Sequence, residues 1–247
     1  MNATASQRTD RARVYGSPGE RPRLAGLVRA AWPAFVVIGL AGYLLRAVLP
    51  GPPIGPGLAG LLFLALAAAL AIAATISRVR IESFIKGARG EERVARELSF
   101  LPAGYDIFHG LARSTRSIMG REGDFDHVVV GPNGVFLVET KNWSGSVTVD
   151  GERLLVDGGI PNRSPVAQVR AAAVQLTEWL AGACEAEVSP RPIVCFASDA
   201  LAADRDTAGG VTVCNALAIG AAIREAPGEL PPETRGRIAA HLRQRLA

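Results

Sequence analysis

Cysteine is scarce in this chain of 247 residues, and the few cysteines present form no recognisable site. Cys184, Cys195 and Cys214 are odd in number, widely spaced and never arranged as C-x-x-C. The spacing indicates neither a disulfide framework nor a zinc site, and it favours a reducing compartment. We interpret all three as small apolar residues of the core.

Lysine is rarer still, since 25 of the 27 basic residues are arginine and only Lys86 and Lys141 are lysine. Arginine is a planar fork that is always charged, whereas lysine is a compact point charge whose pKa can be adjusted. A lysine kept in such an arginine-rich chain suggests a position where only lysine serves. This makes Lys141 a candidate functional residue.

The chain also lacks a uniform positive charge, although its net charge is +4. Residues 1–30 contain six arginines against two acidic residues, whereas residues 78–247 contain 20 basic and 21 acidic residues. The basicity therefore belongs to the N-terminal segment, which excludes a uniformly basic protein that coats nucleic acid. A hydrophobic content of 49% excludes disorder along most of the chain.

Two long apolar runs, residues 32–49 and 57–76, are joined by the helix-breaking sequence PGPPIGPG. Each run approaches the roughly 20 residues that cross a bilayer as a helix. The sequence thus predicts a transmembrane hairpin over residues 30–77 in the cell membrane, with Arg46 as an interfacial anchor. Arginines flank the outer ends but not the link, so the positive-inside rule predicts that both termini are cytoplasmic.

Two other interpretations of the apolar runs are possible. A cleaved secretory signal is disfavoured by the long polar lead and by the second run that follows at once. A buried core hairpin is disfavoured because the second run carries no charge over its whole length. Residues 1–29 have no apolar period and are predicted to be a flexible basic tail.

Residues 81–247 have the pattern of a mixed α/β domain. Two β-rich runs, 125–130 and 135–141, flank a Gly-Pro-Asn-Gly turn and predict an antiparallel hairpin. A second hairpin is predicted over 147–149 and 153–156, further strands over 105–111, 192–196 and 211–214, and helices over 81–101, 165–183, 217–226 and 231–246.

Glu139 and Lys141 are two residues apart and therefore project from the same face of a strand. Asp126 lies on the partner strand of the hairpin and can reach the same place; Asp124 shares its face, but the position just before Val-Val-Val favours Asp126. Two carboxylates and a lysine suit metal-assisted phosphodiester hydrolysis, in which the carboxylates hold Mg²⁺ or Mn²⁺ and the ammonium orients water.

Several other polar residues have ordinary structural interpretations. His127 lies on the opposite strand face from Asp126, and it and His109 are interpreted as packed or surface residues and not as bases. Trp143 is interpreted as a core or rim aromatic in preference to a base-stacking one. Arg113, with Arg116 and Arg121, forms a modest basic loop that could contact phosphates.

Three motifs of the soluble part carry a family resemblance. They are G-x-x-G-E at residues 87–91, GDFDHVVVGPxGVFLVETKNWSG at residues 123–145, and N-x-x-P-x-x-Q at residues 162–168. Together they resemble the nuclease-related domain (NERD) family, which is grouped with the PD-(D/E)xK, restriction-endonuclease-like nucleases. The resemblance covers residues 86–183 and implies a mixed central sheet flanked by helices.

The resemblance also implies roles for individual residues. Asp126 and Glu139 would be metal ligands, and Lys141 would orient water or stabilise the transition state. Glu91, on the first helix of the domain, would complete the acidic cluster, and Gln168 would contact the site or the substrate backbone. The function implied is a membrane-anchored, Mg²⁺- or Mn²⁺-dependent nuclease that acts on DNA at the cytoplasmic side.

The alternative is a catalytically silent, membrane-tethered module that binds nucleic acid or signals through a nuclease-like fold. The near-neutral charge of residues 78–247 favours this alternative, because it offers little counterion-release affinity. The intact acidic and lysine residues argue against it. A transporter is disfavoured, because two helices without paired polar residues enclose no pathway.

Overall fold

The computed structural model describes residues 10–18, 32–45, 55–113, 124–181 and 188–246. The chain divides into two units, an apolar unit of residues 21–86 and a sheet domain made of residues 1–20 and 87–247. The predicted anchor Arg46, the link at residues 50–54, Cys184, Arg116 and Arg121 lie outside the described residues.

The apolar unit contains helix α1 (Trp32–Leu45) and most of helix α2 (Pro56–Leu98). Of the helices in the described residues, only α2 is long and apolar enough to cross a membrane by length and composition. Its most apolar stretch is 6% buried within the described structure, which disfavours a buried core helix for this segment. α1 is apolar but shorter, so the first of the two predicted spans stays a prediction.

α2 continues without a break from the apolar run into the charged segment that follows it. The sequence predicted two helices here, over 57–76 and 81–101, and this separation is wrong. Residues 77–80 are Ser-Arg-Val-Arg, which contain neither glycine nor proline, so nothing ends the first helix. The second predicted helix is thus the C-terminal part of α2, and it ends at Leu98.

The sheet domain is built on a seven-stranded mixed sheet in the order β1-β2-β3-β4-β7-β9-β8. The strands are β1 (Arg13–Tyr15), β2 (Asp106–Ala112), β3 (Asp124–Gly131), β4 (Gly134–Lys141), β7 (Arg191–Phe196), β8 (Arg205–Ala208) and β9 (Val211–Asn215). A separate hairpin is formed by β5 (Val147–Asp150) and β6 (Arg153–Val156). The helices are α3 (Pro165–Ala181), α4 (Ile219–Arg224) and α5 (Pro232–Gln244).

Helices cover both faces of this sheet. One core cluster joins α3 and α5 to side chains such as Leu137 and Val194, and the other joins the end of α2 and α4 to Val138 and Ile193. Successive residues of β4 thus enter opposite cores, as strand alternation requires. The predicted mixed α/β domain with a large mixed sheet flanked by helices is confirmed, as are both predicted hairpins.

The N-terminal segment differs from the prediction of a flexible tail over residues 1–29. Residues 13–15 form β1, an edge strand of the sheet that pairs in parallel with β2. Arg13 donates to the buried carboxylate of Asp106 at 2.8 Å, and the Tyr15 ring stacks on Phe108 at 5.0 Å. The tail prediction is therefore wrong for residues 10–18, since the sequence could not reveal a partner some 90 residues away.

Cys195 and Cys214 are buried free thiols at paired positions of β7 and β9. A hydrogen bond with Cys214, together with burial, raises the pKa of the Cys195 thiol well above its usual range. A neutral buried thiol behaves as a small apolar side chain. The core interpretation holds for these two cysteines.

Candidate active site

The candidate site lies where β3 and β4 stop pairing. The backbone ladder ends at His127 opposite Val138. Two residues further along β4, the backbone N–H of Thr140 donates to Oδ2 of Asp126 at 2.7 Å, so a side-chain carboxylate takes the place of a strand partner. This contact holds Asp126 beside the end of β4, where Glu139 and Lys141 follow.

Glu139, Lys141 and Gln168 form a hydrogen-bonded triangle. Lys141 Nζ donates to Glu139 Oε1 at 2.7 Å and to Gln168 Oε1 at 3.1 Å. The amide nitrogen of Gln168 donates to the same Glu139 oxygen at 2.6 Å. Gln168 lies in the first turn of α3, so this helix fixes the orientation of both charged side chains of β4.

Glu91 approaches the site from α2. Its charge contributes to raising the pKa of Asp126, which places it in the same acidic group. A side chain at the preceding Gly90 would meet the Cβ of Asn142 at 2.8 Å, so only glycine lets α2 lie this close to the end of β4. The G-x-x-G-E motif is thus explained at its second glycine, while a Cβ at Gly87 would meet nothing.

The acidic group is under mutual repulsion. Burial, and then the charges of Glu139 and Glu91, raise the pKa of Asp126 well above its usual range, while the Thr140 N–H and Lys141 lower it. Within the part of the chain that the structure describes, no three acidic, histidine or cysteine side chains already converge as a metal site. The donor set still fits a divalent cation, because carboxylate oxygens suit Mg²⁺ or Mn²⁺ and a cation would offset the repulsion.

Arg113 is a member of this group that the sequence did not identify as such. It follows β2, its side chain is 14% exposed, and its guanidinium lies 4.9 Å from the ring centroid of Phe125. One guanidinium nitrogen is 3.9 Å from Glu139 Oε2. The sequence placed Arg113 in a basic loop, but its approach to Glu139 depends on the β2–β3–β4 register.

A neutral chain of side chains lies on the other face of the same strands. His109 Nδ1 is 2.7 Å from His127 Nδ1, and His127 Nε2 is 3.1 Å from Thr140 Oγ1. Burial lowers the pKa of His109 to about 4 and, together with His109, lowers that of His127 well below its usual range. Both histidines are packed and uncharged, and their contact follows from their opposite positions on β2 and β3.

Trp143 lies just beyond β4 and is half-buried. Its ring centroid is 5.6 Å from that of Phe196, and its carbonyl accepts a hydrogen bond from Ser198 at 3.0 Å. These contacts are those of a rim aromatic that packs against the core.

The structure therefore brings together the five residues that the sequence singled out: Glu91, Asp126, Glu139, Lys141 and Gln168. All five lie within residues 86–197, which match the family model of the nuclease-related domain, NERD. A segment of 61 residues is 43% identical to an uncharacterized protein of Bacillus anthracis and covers 24% of this chain. The chain spans only 28% of that relative's length. No solved structure matches.

Proposed function

We propose, from the membership of residues 86–197 in the nuclease-related domain family, that this chain is a divalent-metal-dependent nuclease that hydrolyses DNA phosphodiester bonds. The observation that carries the proposal is the convergence of Asp126, Glu139 and Lys141 at the point where β3 and β4 separate. Buried carboxylates that converge with a lysine are typical of functional sites.

The three carboxylates of Asp126, Glu139 and Glu91 would hold Mg²⁺ or Mn²⁺. When bound, such an ion supplies a Lewis acid for the phosphate and lowers the pKa of a coordinated water. Lys141 provides three N–H donors, two of which Glu139 and Gln168 hold in place, and the third would donate to water or to a phosphate oxygen. Gln168 keeps Lys141 and Glu139 in a fixed mutual orientation.

We also propose that the sheet domain is a restriction-endonuclease-like fold. In support, a mixed sheet has helices on both faces, and the acidic and lysine residues lie at the ends of an antiparallel pair next to a parallel strand. Glu91 reaches this place from a helix, as the family resemblance implies.

The decisive experiment is a cleavage assay with the full chain in detergent, on plasmid and single-stranded DNA, with Mg²⁺, Mn²⁺ or EDTA. The full chain is needed because residues 13–15 supply an edge strand of the sheet domain. We expect metal-dependent cutting that Asp126→Ala and Lys141→Ala remove and that Lys86→Ala leaves unchanged. The proposal is contradicted if no metal-dependent cutting is observed, or if Asp126→Ala and Lys141→Ala cut as well as the wild type.

The alternative function is a catalytically silent module that binds nucleic acid or signals. Two observations favour it: residues 78–247 are nearly neutral, and the acidic residues within the described segments do not form a ready metal cluster. Calorimetric titration with Mn²⁺ separates the two functions. A nuclease should show a specific site that Glu139→Ala abolishes, whereas a silent module should show none.

We further propose that the apolar unit crosses the cell membrane twice and leaves both termini in the cytoplasm. In support, the sheet domain contains residues from before α1 and from after α2. A chain that leaves one folded domain and returns to it must cross a bilayer an even number of times. The arginines outside the apolar runs favour the cytoplasmic side.

The membrane proposal is tested by labelling with a thiol reagent that does not cross membranes. A cysteine placed at Gly51, in a Cys184→Ala background, should react in intact cells, and a cysteine placed at Ser6 should react only after lysis. Cys195 and Cys214 are buried in the sheet and should stay silent in both. Equal reactivity at both positions in intact cells contradicts the hairpin.

A further inference from the structure

Arg113 packs against Phe125, but its buried Nε has no hydrogen-bond partner among the described residues. Its side chain is largely buried, and its guanidinium lies over the Phe125 ring. The nearest carboxylate oxygen, Glu139 Oε2, is 3.9 Å away, which is longer than the 2.7–3.2 Å of an N–H···O hydrogen bond. Among the described residues, nothing accepts a hydrogen bond from its buried Nε.

Ion pairs of other arginines in the sheet domain differ in length: the exposed Arg93–Asp199 pair is 3.8 Å long, whereas two others are direct. Arg13 donates to Asp106 at 2.8 Å, and Arg205 donates to Glu225 at 2.8 Å. A buried guanidinium N–H without a partner is costly, so an arginine whose task was only to neutralise Glu139 should make such a direct contact. Arg113 instead stays a short distance from its carboxylate.

The position of Arg113 complements that of Lys141. Lys141 contacts Oε1 of Glu139, and Arg113 faces Oε2, so a cation stands on each side of this carboxylate. Lysine acts as a point charge, whereas the planar fork of arginine matches two phosphate oxygens at once. The guanidinium of Arg113 is also held by a cation–π contact, 4.9 Å from the centroid of the Phe125 ring.

We propose that Arg113 binds the non-bridging oxygens of a nucleic-acid phosphate beside the acidic group. The inference rests on the proposed nuclease function and adds a residue that recognises the substrate backbone. Because residues 78–247 carry nearly equal numbers of acidic and basic residues, affinity for a phosphate backbone depends on a few local cations. Arg113 is the arginine that the described structure puts next to Glu139.

Arg191 provides a matched control. Its guanidinium also lies over a phenylalanine, Phe136 at 5.7 Å, and its buried Nη1 has no hydrogen-bond partner in the described residues. It begins β7 opposite Phe136, five residues along β4 from Lys141. Arg191→Gln therefore makes the same change in charge and in cation–π contact, away from the acidic group.

The test measures the affinity of the full chain for a short fluorescein-labelled single-stranded DNA over a salt series, in EDTA and in Ca²⁺. We expect Arg113→Gln to weaken binding about tenfold and to reduce the slope of log affinity against log salt by about 0.7, the value for one phosphate contact on a single strand. Arg191→Gln should change neither quantity. Arg113→Lys should restore the slope but not the full affinity.

The inference is overturned if Arg113→Gln has the same slope of log affinity against log salt as the wild type and Arg191→Gln. Arg113 would then only balance the charge of Glu139. No measurable binding by the wild type in either condition overturns it as well. Failure of the nuclease proposal looks different: the wild type then binds with the Arg113-dependent slope but cuts nothing. Equal thermal midpoints for all the proteins ensure that lost binding is not lost folding.

Discussion

The hairpin of β3 and β4 carries charged side chains on one face, and on the other face its His127 and Thr140 form a neutral hydrogen-bonded chain with His109 of β2. Asp126, Glu139 and Lys141 meet where the strands separate, and the acids raise the pKa of Asp126. His127 and Thr140, their immediate neighbours in sequence, are buried with His109. Burial favours the neutral form of Asp126 and of the two histidines. Only Asp126 has a lysine, Lys141, nearby that favours its charged form.

This contrast suggests that the two faces of the hairpin have different tasks, which we call a division of labour. The neutral face holds the strand ends in register by hydrogen bonds, and the charged face is left to bind and react. The clearest link is Thr140, whose hydroxyl contacts His127 while its backbone N–H contacts Asp126. Four predictions test the division, each by changing one face and measuring stability, activity or both.

The largest effect is expected from Lys141→Met, which removes the cation from the charged face and keeps its length. We expect DNA cleavage to fall roughly 10²- to 10³-fold, the usual cost of removing one donor that stabilises the transition state. The free energy of unfolding should change far less, because the neutral face is untouched. Single-turnover cleavage rates together with denaturant unfolding of the full chain give both quantities.

Lys86→Met is the matched control, since Lys86 is the other lysine of the chain and belongs to the apolar unit. It should leave cleavage unchanged. Lys141→Arg should also lose most activity, because the planar fork cannot replace a point charge held by both Glu139 and Gln168. Full activity in Lys141→Arg would contradict the specific need for lysine.

The second effect is a loss of stability on acidification that comes from the neutral face. Burial lowers the pKa of His109 from 6.5 to about 4. Between these two pH values, His109 is protonated in the unfolded chain but not in the folded chain. Stability is therefore full above pH 6.5 and falls as the pH drops toward 4. At about 1.4 kcal/mol per pKa unit, His109 alone accounts for roughly 3 kcal/mol.

The free energy of unfolding, measured by urea titration between pH 5 and 6.5, tests this slope. The window avoids most ordinary carboxylates, which titrate below it. In His109→Asn the free energy of unfolding should depend less on pH than in the wild type. This holds however much the substitution itself lowers the stability. Parallel curves for the two proteins would show that His109 is protonated in the folded state.

The sequence predicted the centre of the site because the information there is local. Alternation along one strand puts Glu139 beside Lys141, and a short turn brings Asp126 to them. Glu91 and Gln168 came only from the family resemblance, since their distance to the strands is set by the packing of α2 and α3. The spacing of the motifs along the sequence could not predict that Glu91 and Gln168 lie close to the strands.

What the sequence could not predict depends on pairing between distant segments. The histidine pair and the approach of Arg113 to Glu139 both require the register of β2 against β3. β1 and β8 were missed because both are short edge strands with little of the apolar alternation that marks a strand. Their formation depends on the neighbours they pair with, β2 and β9.

The third effect is a loss of stability without loss of activity in Thr140→Val. Valine keeps the shape of the side chain and the backbone N–H that Asp126 accepts, but it leaves His127 Nε2 buried without a partner. We expect the free energy of unfolding to fall by about 1–3 kcal/mol. Thr140→Ser keeps the hydroxyl and should recover most of this loss.

Cleavage by Thr140→Val, measured at a temperature where the variant is fully folded, should stay close to that of the wild type. If cleavage falls as steeply as in Lys141→Met while stability is unchanged, the neutral face takes part in the chemistry. The division of labour between the two faces would then be wrong.

The smallest effect has the opposite sign, because Asp126→Asn should stabilise the protein while it removes activity. Asparagine keeps an acceptor for the Thr140 N–H and ends the repulsion from Glu139 and Glu91. Since the folded-state pKa of Asp126 is raised, wild-type stability falls as the pH rises above 3.8, and the stability of the variant does not. At neutral pH we expect a gain in the free energy of unfolding of about 1 kcal/mol, the interaction of two charges about 4 Å apart in water.

Asp206→Asn is the control, because exposed Asp206 also accepts a backbone N–H, that of Thr207. This substitution should leave the free energy of unfolding unchanged. A less stable Asp126→Asn would mean that the charge of Asp126 is compensated in the folded protein, and the argument for a cation at this place would lose its electrostatic support.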